Sequence, residues 1–135
     1  MANALYDAGR NAFLTGDIDW LADTIKAVLV DTADYTVNLA THDFLSDIPV
    51  AARVDTTAAF TGKTAVAGVA DAADIAFVAA TGDLAEAIVI YKDTGVDTTS
   101  PLIAYIDSAT GLPVQPNSGD INLIFSNAAD RVFKL

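Results

Sequence analysis

The chain holds one imidazole, His42, with two carboxylates close by at Asp43 and Asp47. A histidine beside an acid is the arrangement of a general base, yet that base needs a nucleophile or a polarised water to act on. No Gly-x-Ser-x-Gly marks a serine for it, and any triad would have to use His42 alone. The ring therefore reads as a capping or surface residue on a short helix. Asp71 with Asp74, and Asp93 with Asp97, could offer oxygens to calcium. Their spacing lacks the alternating acids, central Gly and closing bidentate Glu of a calcium loop, which leaves Asx-turns as the reading. Gly62-Lys63-Thr64 matches the tail of a phosphate loop, but the earlier Gly of that motif is missing and the context is strand to strand. No catalytic residue, metal or cofactor is assigned, and the chain is not read as an enzyme.

The elements that would position these side chains are mostly strands. Seventeen of the 18 acids are Asp, with Glu86 the only Glu, and Asp favours turns and caps where Glu favours helix interiors. Ala is abundant but interleaved with Val, Ile, Thr and Gly, which fits pleated surfaces better than helices. Thr24 to Asp31 is too short for a stable helix and reads as a buried strand, with Trp20 and Leu21 leading in. Thr41 to Asp47 reads as one or two helical turns capped by Thr41 and stopped before Pro49, crossing one end of the sheet. Further strands are expected over Arg53 to Ala59, Lys63 to Val69, Asp74 to Ala80, Ala85 to Lys92, Leu102 to Asp107, Ile121 to Ser126 and Arg131 to Leu135. Turn residues such as Asp71 to Ala73 and Thr81-Gly82-Asp83 separate them. Ala87 to Tyr91 is apolar on both faces, so it should be central. The expectation is one domain over 1–135, mainly β: an antiparallel β-sandwich or small barrel of about seven to nine strands with one or two short helices.

Composition narrows the function classes. With 135 residues, 53% of them apolar, one compact core is the expectation. A net charge of −11 opposes approach to nucleic acid and to anionic membranes. The absence of Cys removes disulfides, thiolate metal sites and cysteine nucleophiles. No run reaches the length of a membrane helix, and the N-terminus lacks the basic and apolar regions of a secretory signal. Asp17, Asp19, Asp23, Asp31 and Asp34 bracket the first buried strand as an acidic rim, either simply solvated or facing a basic partner. Residues 1–16 form a helix or an arm. There Leu5, Tyr6, Phe13 and Leu14, with Trp20 just beyond, put large apolar side chains near a chain end. They either cap the domain's own core or form an assembly interface with a neighbouring subunit.

Blocks along almost the whole chain resemble a family of small structural proteins of tailed bacteriophages. They are Met1 to Phe13, Asp23 to Leu45, Ala70 to Ile75, Ala87 to Gly95, Leu102 to Pro116, Gly119 to Ile121 and Phe133 to Leu135. The resemblance implies a virion component, made in the host cytoplasm and placed on the capsid surface as a decoration or cement protein. Its implied partners are the major capsid protein and itself, as a homo-oligomer that is trimeric by analogy. A neck, tail or fibre component, acting as a connector or a host-surface binding module, is the alternative. Sugar binding there would use exposed aromatics such as Tyr35, Tyr91 or Tyr105 beside Asp and Asn side chains, but these tyrosines lie in or near strand signals, which favours core packing for each. The family brings no catalytic or metal residues.

Overall fold

The computed structural model describes residues 3–125 and 132–135. Met1, Ser126 and Arg131, which bound three of the expected segments, lie outside them. The N-terminal segment is both a strand and a helix: β1 (Ala4–Leu5) turns at Tyr6 into α1 (Asp7–Thr15). Asp7 in the first turn complements the helix dipole. Gly16 ends the helix in the left-handed region at φ 80°, its N–H reaching back to the carbonyl of Phe13.

The centre is a five-stranded antiparallel sheet ordered β1-β8-β7-β2-β3, from β2 (Ile25–Val30), β3 (Arg53–Thr56), β7 (Ala87–Lys92) and β8 (Leu102–Ile106). β2 and β7 pair without a break from Ile25 against Lys92 to Val30 against Ala87. Alternation then splits their side chains between two cores. Ile25, Ala27, Leu29, Ile88 and Ile90 face one, with Trp20, Phe60, Phe77, Phe125 and Phe133. Val28, Val30, Ala87, Val89 and Tyr91 face the other, with Tyr6, Tyr35, Leu45 and Ile48. The doubly apolar Ala87 to Tyr91 is thus a central strand covered on both faces, as its sequence implies.

Two smaller ladders cover the first face. One is ordered β10-β5-β4, from β4 (Thr64–Val66), β5 (Val69–Asp71) and β10 (Phe133–Lys134); the other pairs β6 (Ile75–Phe77) with β9 (Ile121–Leu123). The fold is mainly β and sandwich-like, with ten strands rather than seven to nine among the described residues. One extra strand comes from splitting the expected Lys63 to Val69 strand into a hairpin, in which Val66 pairs with Val69. Ala67 and Gly68 both take positive φ, 53° and 79°, the backbone of a tight two-residue turn. Asp71, expected in a turn, closes β5 instead.

The second face is covered by the long connection from β2 to β3, which carries two 3₁₀ turns, Leu45–Asp47 and Val50–Ala52. Thr41 does not cap the first. Asp47 does, its Oδ2 accepting the amides of Asp43 at 2.8 Å and Phe44 at 3.1 Å.

Candidate functional site

His42 is fixed by the turn that precedes it. Asn38 Oδ1 accepts the amides of Ala40 and Thr41, and the Asn38 amide donates to His42 Nδ1 at 3.2 Å. A backbone N–H only donates, so Nδ1 is an acceptor and the neutral ring carries its proton on Nε2. Tyr35 Oη lies 2.8 Å from the same nitrogen and 3.0 Å from Tyr6 Oη, which orders the relay as Tyr6 to Tyr35 to His42. The imidazole thus ends a structural chain that starts in the core.

Neither nearby carboxylate orients the ring by a hydrogen bond. Partial burial works against the Asp47 carboxylate, but the amides of Phe44 and Asp43 outweigh it and hold its pKa below the usual range. Burial in the second core raises all four tyrosines. Tyr35 and Tyr91 are pushed up to about 12, and Tyr6 and Tyr105 are also raised. Tyr35, Tyr91 and Tyr105 are 3%, 4% and 4% exposed, so they are not the exposed aromatics that sugar binding would use.

The acids weighed for calcium are all engaged. Asp74 Oδ1 accepts the Phe125 amide, and Asp93 pairs with Lys26 at 2.6 Å while accepting the Gly95 amide. Asp97 pairs with Arg53 at 2.6 Å. A grouping the sequence does not suggest brings Asp31, Asp34 and Asp83 together, one oxygen of each within 4.8 Å of the others. Asp83 joins from a distant turn, so no local spacing could reveal it. Asp31 Oδ1 is already the acceptor for the Ala33 amide.

The residues offered as an assembly interface separate sharply. Leu5, Tyr6 and Trp20 are 8%, 0% and 5% exposed, and Phe13 stacks on Phe133 at 5.7 Å. Trp20 also packs edge-on against Phe60 and Phe133 and donates Nε1–H to the Asp71 carbonyl. Leu5, Tyr6 and Trp20 lie in the chain's own core and the partly buried Phe13 packs against it, the first of the two alternatives, because β1 and the turn after α1 tie the N-terminus down. Leu14 alone, 86% exposed, stays available to a neighbour.

Two surface grooves flank α1. The first, about 430 Å³, lies between the helix and the Phe44–Pro101 bridge, lined by apolar Ala8, Ala12, Phe44 and Pro101 and by polar Asn11, Thr99, Asp17 and Asp43. Lys92 also lines it, but its Nζ is held by the Asp17 carbonyl at 2.7 Å and by Asp23 Oδ2 at 3.0 Å. The second, about 390 Å³, runs over β1 and β10 and holds Arg10 and Lys134. Both volumes are in the range of ligand pockets, yet both are open grooves that suit a protein segment. Among the described residues no helix is long and apolar enough to cross a membrane. Comparison with known proteins returns no matching family model and no matching curated protein.

Proposed function

We propose that this chain is a tailed-bacteriophage virion protein that decorates the capsid, binding across neighbouring major capsid subunits and to further copies of itself. The resemblance of its sequence blocks motivates the reading. The structural observation that carries it is the set of large apolar side chains left in water. Leu14, Val50, Val66, Val78 and Ile124 are 86%, 75%, 71%, 69% and 70% exposed, although the fold buries both faces of its central sheet. They lie apart in the chain, on α1, a 3₁₀ turn, β4 and the segments after β6 and β9, so contacts through them would be with several neighbours rather than one ligand. The acidic surface suits contact with protein and keeps the chain off a packaged genome. Many weak contacts repeated over a shell would act together.

The test is to add purified chain to capsids assembled without it. Saturable co-sedimentation at many copies, with capsids that survive greater heating, is the expected result. No binding refutes the reading, and saturation at a few copies replaces it with a neck, tail or fibre position.

A further inference from the structure

An α-helix advances about 100° per residue. With Gly9 facing β8, this puts Ala8 and Asn11 on one flank of α1 and Arg10 and Leu14 on the other. Arg10 and Leu14 are four residues apart and form one ridge. The ridge joins an exposed cation to the most exposed large apolar residue among those described. The opposite flank opens into the first groove, where apolar Ala8, Ala12, Phe44 and Pro101 are joined by Asp17 and Asp43.

The charges of the chain are segregated in the same sense. Lys26, Arg53 and Lys92 are neutralised by Asp93, Asp97 and Asp23, and Lys63 is held by the Asp23 carbonyl. Among the described residues Arg10 meets only Asp7, at 3.0 Å with both side chains more than half exposed, a pair that water screens and a stronger partner can replace. Lys134, across the second groove from Arg10, has no ionic partner among the described residues. In the first groove Lys92 is paired with Asp23, so Asp17, whose Oδ2 accepts the Thr15 hydroxyl at 2.7 Å, and Asp43 have no side-chain ion pair among the described residues. Among the described residues the free positive charge thus lies at Arg10, beside Leu14, and at Lys134 on the second groove, and a groove lined by Asp17 and Asp43 lies on the other flank of α1.

We propose that copies of this chain associate head to tail, the Arg10 and Leu14 ridge of one copy seated in the Asp17 and Asp43 groove of the next. Leu14 packs on Ala8, Ala12, Phe44 and Pro101, and Arg10 meets the two carboxylates. Because the two surfaces differ, the contact is heterologous, and repetition closes a ring or extends a filament. The inference rests on the self-association in the reading above and is independent of capsid binding.

The test is sedimentation equilibrium of the full chain over a concentration series, on wild type, Arg10→Glu, Asp43→Arg, the double variant and Leu14→Ser. Val78→Ser serves as a remote apolar control. Each charge reversal should weaken association by about tenfold or more, because it sets like charges together in a desolvated contact. The double variant should recover most of that loss, since it restores opposite charges with the polarity reversed. Leu14→Ser should weaken association and Val78→Ser should not. A wild type that stays monomeric throughout overturns the proposal, as do single variants that associate like wild type or a double variant no tighter than the singles. Rescue excludes misfolding as the cause of the losses. Failure of capsid binding with this pattern intact would refute the decoration reading and leave the contact standing.

Discussion

Gly9→Ala sets helix propensity against packing, and the structure says which wins. Gly9 lies in the interior of α1, where replacement by Ala should add about 1 kcal/mol of helix stability. A Cβ there would lie 2.6 Å from the Leu102 carbonyl oxygen and 3.0 Å from Ile103 Cα. Both atoms belong to the backbone of β8, so no side-chain rotation relieves the contact. The helix must lift from the sheet or β8 must shift within a central ladder. Overpacking of a tight interior costs about 1–3 kcal/mol, and backbone on both sides puts this case at the upper end. The net expectation is a loss of about 2 kcal/mol, or roughly 6–10 °C in Tm for a domain of this size. Urea unfolding followed by the fluorescence of Trp20, the only tryptophan and 5% exposed, measures it. The exposed Asn11→Ala gives the propensity effect without the contact. A Gly9→Ala chain as stable as wild type, or more so, would show that α1 does not pack on β8 at this distance.

Other perturbations probe other links. Tyr6→Phe removes the hydroxyl that leads the relay to Tyr35 and His42 and should cost about 1 kcal/mol in the same assay; no loss would show that the relay contributes nothing. Ser100→Ala should cost about 1–3 kcal/mol, because this fully buried hydroxyl donates to the Val96 carbonyl and accepts the Thr94 amide. Asp47→Ala should cost about 1 kcal/mol and Asp47→Asn less, since Asn keeps an oxygen for the two amides. Above pH 10 stability should fall. The unfolded tyrosines release their protons near 10, whereas the folded Tyr35 and Tyr91 hold theirs to about 12 and Tyr6 and Tyr105 are raised too. The folded state therefore binds more protons, and each tyrosine lowers stability by up to about 1.4 kcal/mol per pH unit from 10 upward. A tyrosinate absorbance titration of the folded chain with a midpoint near 10 would contradict this.

What the sequence made legible follows how strongly each segment determines its own state. β2 and β7 could be read because continuous apolar runs between Asp-rich flanks have few other solutions. The β4–β5 hairpin could not, because its turn is Ala67-Gly68, and Ala at positive φ carries none of the signal of Asn-Gly or Asp-Gly. The Asp47 cap was missed because it reaches backward from the end of the turn, where a reading from Thr41 looks forward. The apolar N-terminal residues stand out in the sequence as a group. Their division between core and surface depends on helix phase, which a shift of one residue changes: it buries Ala12 and exposes Leu14. The grooves on either side of α1 draw on segments far apart in the chain, so no local pattern announces them.

The proposed place of this chain in the shell of a virion is tested most directly by its copy number in purified particles. Quantitative mass spectrometry against the major capsid protein gives that ratio. A near-equimolar ratio is the result expected for a decoration protein. A handful of copies per particle would contradict it in favour of the neck, tail or fibre, and absence from particles would remove every virion role.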